Sequence, residues 1–263
     1  MDLKLKGKVA LITGAGSGMG QHMAIAFAKE GAKIAVNDVN KDGIAETIKQ
    51  VQAAGGEAMD AGCDISDFEA AKAMIAKVEA GYGRVDIVVN NAAVLAKHAM
   101  FLETTPQEND KEIKVILYGT MNVTRAVLPG MMERKYGKLV TIATDAARIG
   151  QEREVSYSAA KGGVVAFSKS VAREAGPSNI NVNIVSPGAT NSPMRINNLK
   201  AYEEKFGKEK LEEREAKVRR VYPLRRIGEM EDVTNAVLFF ASDVSRHMTG
   251  QIVSVSGGFT MVG

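Results

Sequence analysis

The chain has 263 residues, 45% of them hydrophobic, enough to bury a sizeable core in one α/β domain. Lys and Arg exceed Asp and Glu by 34 to 31, and this net charge of +3 excludes a globally basic nucleic-acid binder. The single cysteine, Cys63, excludes an intrachain disulfide and points to a reducing compartment.

The first predicted element is the strand KVALIT. Its apolar run is too short for the core of a secretion signal, and no segment is long enough to cross a bilayer, so a cytoplasmic protein is expected. The strand runs into TGAGSGMG, with Gly14, Ser17, Gly18, Met19 and Gly20, and then into the helical pattern GQHMAIAFAKEG. Glycines there allow a tight turn and close backbone approach, and the helix N-terminus offers N–H groups to a pyrophosphate. A second strand, KIAVND, ends in Asp38, whose carboxylate can accept hydrogen bonds from an adenosine ribose. A 2'-phosphate beside that acid would be repelled, and neither Ser17 nor Asn37 supplies a cation. NAD is therefore expected over NADP.

Further short apolar runs follow: the stretch before CDIS, VDIVVNNA, KLVTIAT, INVNIVSP and QIVSVSGG. With amphipathic segments such as FEAAKAMIAKVEAGYG between them, they predict about seven strands in a doubly wound parallel sheet with helices on both faces, a Rossmann-like α/β fold in one domain over residues 1–263. If Val155 to Ser168 is helical, Tyr157 and Lys161 share a face at i and i+4. A free tyrosine ionises near pH ~10, so one that exchanges protons near neutrality needs a nearby cation. The alternative is a half-exposed Tyr beside a solvated Lys. From Arg195 to Arg226 eleven basic residues face six glutamates, which predicts a charged insertion, helical in part, serving as a lid over a substrate. Its cations could attract the phosphates of a CoA thioester, or could simply pair with glutamates along a solvated helix. Lys97, Arg148 and Arg153 read as ordinary surface charge. His98 stands alone, and no His/Cys/Asp cluster has metal-ligand spacing, so no metal is expected.

In combination and in order, TGAGSGMG, the Asp38 position, CDIS, NNAA, YSAAK, SPGATNS and SVSGG make the chain resemble the short-chain dehydrogenase/reductase family across nearly its whole length. The resemblance implies that Tyr157 is the acid/base, that Lys161 holds the nicotinamide ribose and lowers the tyrosine's pKa, and that Thr144 stands at the catalytic serine position. It further implies that Asp64 and Ile65 border the adenine, that Asn91 lies beside a cofactor ribose, and that Thr190 faces the nicotinamide carboxamide. Ile116 stands where the family keeps a proton-relay asparagine. The wording of ATDAARIGQEREVSYSAAKGG resembles the branch that oxidises hydroxyacyl-CoA thioesters of cyclic and aromatic acids. Two functions follow as expectations: an NAD-dependent secondary-alcohol dehydrogenase, or a cofactor-binding, catalytically impaired subunit of a mixed oligomer. The family also implies a tetramer, of one chain or of two related ones.

Overall fold

A computed structural model describes residues 2–261 of the chain. Seven short strands form one sheet: β1 (Val9–Ile12), β2 (Lys33–Val36), β3 (Glu57–Asp60), β4 (Ile87–Asn90), β5 (Gly137–Ile142), β6 (Ile180–Pro187) and β7 (Ile252–Val255). All neighbours are parallel, in the order β3-β2-β1-β4-β5-β6-β7. The seven runs read from the sequence are these seven strands. Six are apolar enough to be recognised alone; β3, at the sheet edge, is half-exposed and carries Glu57 and Asp60, which is why its sequence signal is weak.

Among the described residues ten α-helices connect and flank the strands: α1 (Gly18–Lys29), α2 (Lys41–Ala53), α3 (Phe68–Tyr82), α4 (Pro106–Glu112), α5 (Gly119–Arg134), α6 (Ala146–Ile149), α7 (Val155–Ala175), α8 (Pro193–Phe206), α9 (Lys208–Arg220) and α10 (Met230–Ala241). Successive strand residues point to opposite faces, so both faces must be covered. On one, Ile12, Val36, Val89, Val140 and Val185 pack with Phe27 of α1 and Val237 and Phe240 of α10. On the other, Leu11, Val88, Leu139 and Val182 pack with Ile75 of α3, Val127 of α5 and Val171 of α7. Helix α7 continues to Ala175, well beyond Ser168, burying Val164, Ser168, Val171 and Ala175 along one stripe. Among the described residues no helix is long and apolar enough to cross a membrane.

Two details bear on the site. Strand order reverses between β1 and β4, so the crevice at their carboxyl ends lies where parallel sheets of this kind receive ligands. Between α4 and α5 the chain stays helical but passes through a π-turn, Ile113–Tyr118, which sets Ile116 inside the protein at 1% exposure.

Candidate functional site

The candidate residues converge because each follows the carboxyl end of a strand or faces one. The glycine turn follows β1, Asp38 follows β2, Asn91 follows β4, Thr144 follows β5, and Thr190 follows β6. Gly14 has φ +64°, and a Cβ on it would sit 2.8 Å from the Ala92 Cα. A Cβ on Gly20 would sit 2.2 Å from the Gly14 carbonyl oxygen. The turn is therefore packed against the end of β4 with no room for a side chain at Gly14 or Gly20. Thr13 ties the two together: its hydroxyl accepts from the N–H groups of Asn91 (3.0 Å) and Ala92 (3.1 Å).

Helix α1 begins with Ser17 at its N-cap, whose side chain makes no capping bond, and with no acid in its first turn. Helices α2 and α3, by contrast, are capped by Asn40 and Asp67. The uncapped N–H groups of α1 and the glycine cradle fit a diphosphate. The first residues of α8 also face this turn, since a Cβ on Gly18 would lie 4.0 Å from Pro193 Cδ.

Asp38 is where the sequence placed it. Its Oδ2 accepts from Gly16 N–H at 2.9 Å, and its Oδ1 accepts from Asn40 N–H at 3.0 Å. A pocket of about 310 Å³ opens beside it, lined by Val39, Lys41, Ile44, Cys63 and Asp64 among others. Asn37 shapes its wall by donating to the carbonyls of Ala61 (2.9 Å) and Cys63 (3.2 Å). Lys41 is a cation in this pocket that the sequence reading passed over, because α2 buries Ile44 and turns Lys41 outward three residues beyond Asp38.

Two expected cofactor neighbours gain detail, and one expectation needs correction. The Ile65 side chain does not line the pocket: it is buried against Gly119 of α5, and its carbonyl accepts from Asn122. The Asn91 Nδ2 donates to the carbonyls of Thr13 (2.9 Å) and Gly14 (3.2 Å), which keeps the residue against the glycine turn. Arg148 is not surface charge. Its guanidinium donates to Ser254 at 2.6 Å, 3.9 Å from Asp145, which lies at 0% exposure and accepts from the Ser254 and Thr260 hydroxyls.

Tyr157 and Lys161 share a face of α7 as the spacing required. Lys161 is buried; its Nζ donates to the Ile142 carbonyl at 2.6 Å and lies 5.8 Å from the Tyr157 ring centroid. Burial pulls its pKa down to about 8. Tyr157 is pushed up to about 12, first by burial and then by the carboxylates of Glu154 and Glu112. Burial, and after it the two acids, thus keep the Tyr157 proton in place. Thr144 lies two residues beyond the end of β5, where its hydroxyl accepts from Ala146 N–H at 3.3 Å. Thr190 is partly buried, donates to the Gly188 carbonyl at 3.2 Å and bridges to Gly228. Ile116 packs with Ala160 and Val164 of α7 and with Tyr157, an apolar wall where a relay asparagine was expected by resemblance.

The charged segment forms α8 and α9. Arg195 is held between Glu215, at 2.6 and 2.8 Å, and Asn191, at 3.0 Å, pinning the two helices together. Arg214 covers the Tyr202 ring at 4.5 Å, and Arg226 pairs with Asp232. Lys200, Lys205, Lys210, Lys217, Arg219 and Arg220 are exposed. Among the described residues no group of three or more His, Cys, Asp or Glu could hold a metal ion.

A family model described as Enoyl-(Acyl carrier protein) reductase matches residues 14–260. The chain is 34% identical to a 3-oxoacyl-(acyl-carrier-protein) reductase of Thermotoga maritima, covering 98% of this chain and all of that one. It is 35% identical to the BbsD subunit of a hydroxy(phenyl)methylsuccinyl-CoA dehydrogenase from Thauera aromatica, covering 97% of each. Among solved structures, NAD⁺-bound xylitol dehydrogenase superposes with a TM-score of 0.90 at 28% identity, covering 97% of this chain and 100% of that one. The sheet order, the glycine turn, the Tyr157–Lys161 helix face and these matches lead to one conclusion: the chain belongs to the short-chain dehydrogenase/reductase family of oxidoreductases.

Proposed function

We propose that this oxidoreductase interconverts a secondary alcohol and a ketone with NAD, on a hydroxyacyl-CoA thioester. The observation that carries the reading is the meeting, at one edge of the sheet, of a diphosphate cradle, the Asp38 carboxylate, and a Tyr157–Lys161 pair beside the end of β5. The chain's residues fit the cofactor: the turn and α1 receive the diphosphate, Asp38 the ribose diol, and the pocket beside it the adenine. When bound, NAD supplies a hydride acceptor. Lys161 would hold the nicotinamide ribose, and its charge with that of the oxidised cofactor would offset the burial and the acids that keep the Tyr157 proton in place. Tyr157 takes the hydroxyl proton in oxidation or returns it in reduction, and Thr144 steadies the substrate oxygen. Its methyl stiffens χ1 and narrows the pocket relative to serine.

Two things support a CoA thioester: the thioester named for the Thauera relative, and the exposed cations of α8 and α9, the first of which starts at Pro193 beside the glycine turn. With Arg195 and Arg226 already paired, Arg219 and Arg220 are the cations to test. Michaelis constants are measured for a hydroxyacyl-CoA and its N-acetylcysteamine counterpart, at low and high salt, in wild type and in Arg219→Ala/Arg220→Ala. The CoA substrate should lose affinity with salt and with the double change, while the truncated one barely responds. Parallel behaviour of the two substrates removes the lid charge from recognition.

A second reading, a cofactor-binding subunit that needs a related partner for activity, draws on Ile116 and on the Thauera relative being a subunit. Turnover by the purified chain alone, with NAD and any secondary alcohol or 3-hydroxyacyl thioester, excludes it.

A further inference from the structure

Glu112 closes α4 at 2% exposure, and among the described residues no basic side chain pairs with it. Its Oε1 accepts from the Ala96 N–H at 2.7 Å, and its Oε2 accepts from the Ser156 hydroxyl in a short contact. Those two donors belong to different parts of the site. Ala96 lies in the irregular segment that follows β4 and Asn91, and Ser156 immediately precedes Tyr157 in the first turn of α7. One side chain therefore joins three pieces: the loop beyond the cofactor turn, the helix entering the π-turn, and the turn that carries the tyrosine.

The rest of this wall cannot hold the tyrosine in that way. Below Glu112 the contact between Ile113, Ile116, Leu117 and α7 is apolar and does not specify direction. Elsewhere the loop is held by Ala99 N–H to the Arg153 carbonyl (3.3 Å), by Lys97 to the Glu103 carbonyl (2.6 Å), by Met100 N–H to Glu103 (3.1 Å) and by His98, 3.8 Å from Glu154, and none of these reaches the residue next to Tyr157. A carboxylate is an acceptor with two oxygens and suits two converging donors, and the low surrounding dielectric strengthens both bonds. Burying a charge is costly unless it is well bonded, and an apolar residue would serve packing alone more cheaply. The chain keeps the acid at the one place where it bridges to the residue next to Tyr157.

We propose that Glu112 is a positioning residue of the active site: its carboxylate braces the Tyr157 turn of α7 against the loop after β4, fixing where the tyrosine hydroxyl meets the substrate. The proposal rests on the reading of Tyr157 as the acid/base. The charged and titratable groups around the tyrosine are Glu112 from α4, Glu154 and Lys161 from its own helix region, and His98, whose Nε2 lies 3.8 Å from Glu154. Glu112 thus acts on Tyr157 both as a brace and as a negative charge, and two substitutions separate the roles. Glu112→Gln can keep the bridge, its oxygen accepting from Ala96 and its amide donating to Ser156, while losing the charge. Glu112→Met fills the space and loses both.

The probes are 3-hydroxybutyryl-CoA with NAD, NAD titration, and hydrogen exchange by mass spectrometry. Glu112→Met should lose roughly tenfold to a hundredfold in turnover, since a displacement of about 1 Å suffices for that, with NAD affinity within about twofold of wild type. Glu112→Gln should restore most of the turnover and move the pH profile's tyrosine limb to lower pH, because a negative charge beside Tyr157 is gone. A folded Glu112→Met protein with wild-type turnover overturns the proposal, as does a Gln variant no better than Met. If Glu112→Met does not fold, Ser156→Ala removes one arm alone, and unchanged turnover there is the overturning result, a several-fold loss the supporting one. A wild type inactive on every probe sinks the functional reading, not the brace. Exchange then decides: faster exchange in Glu112→Met confined to residues 93–98 and 155–159 supports the brace, and uniform or absent change overturns it.

Discussion

Gly20 sits in the first turn of α1 with ordinary helical backbone, so by helix propensity alone Gly20→Ala should stabilise the protein by about 1 kcal/mol. The structure reverses that sign. The new methyl would lie 2.2 Å from the Gly14 oxygen, 2.7 Å from the Asn91 amide nitrogen and 2.8 Å from the Ala15 Cα. Two of these are backbone atoms, so relief requires the turn and the helix to part by about 1 Å. Overpacking of this kind costs about 1–3 kcal/mol. Loss of the 3.2 Å bond from Asn91 to the Gly14 carbonyl adds about 1 kcal/mol, roughly cancelling the propensity gain. A net loss of about 1–3 kcal/mol should lower Tm by roughly 3–10 °C in a chain of this size. The same displacement pulls helix N–H groups away from a diphosphate, and charge-assisted bonds worth about 1.5–3 kcal/mol make the loss of NAD affinity about tenfold to a hundredfold. Thermal melts and calorimetric NAD titration read the two effects. Gly55→Ala is the control: it has φ +81° with nothing within 4 Å of the new methyl, so it should cost some stability and leave NAD affinity intact. A Gly20→Ala protein that melts no lower than wild type and binds NAD equally well refutes the close packing of turn, helix and β4 end.

Lys161 gives a pH test. Its pKa lies near 8 in the folded protein against about 10.5 unfolded, so between those values the unfolded chain binds more protons and folding becomes more favourable as pH rises. Wild-type stability relative to Lys161→Met should therefore climb from about pH 8 to about 10.5 in denaturant titrations and stay flat below; a falling difference contradicts the burial of the ammonium. Thr144→Ser should keep turnover and Thr144→Val should lose roughly 10²- to 10³-fold, as measured by steady-state NADH production; an active Val variant removes the hydroxyl from the chemistry. Arg195→Met strands Glu215, 13% exposed, without its partner and should open the α8–α9 pair to limited proteolysis while Tm falls only slightly. Unchanged cleavage would show that the pair is held by other contacts.

The sequence reveals what rests on local pattern. Strands buried on both faces leave near-continuous apolar runs, and a cofactor turn leaves its glycines, so the sheet and the positions of Gly14, Gly20 and Asp38 were readable. Residues whose role depends on what folds back over them were not. Arg148 reads as surface charge because nothing nearby in sequence shows that Ser254 and Asp145 enclose it. The bonds from Asn91 to the Thr13 and Gly14 carbonyls were not legible, because only the pairing of β1 with β4 brings those carbonyls to its amide. Glu112 did leave a signal. It lies four residues before Ile116, on the buried side of the helix, and an acid at such a position is unusual enough to be marked as bonded. The raised pKa of Tyr157 was not legible, because spacing gives the distance to Lys161 and says nothing of the burial that dominates the shift, or of Glu154 and Glu112.

The π-turn at Ile113–Tyr118 gives the chain a spare residue. Such a turn is an α-helix with one residue too many, and the helices on either side keep the orientation they would have without it. Removing a residue from an ordinary helix swings everything beyond it by about 100°. Here the excess can be given up while Glu112, at the end of α4, still meets Ser156 and α5 still packs on the sheet. What would change is the wall facing Tyr157, now made by Ile113, Ile116 and Leu117. Chain length, and not only residue identity, is thus a variable at this wall, one through which a lineage of such proteins can reshape the surroundings of its tyrosine without disturbing the sheet.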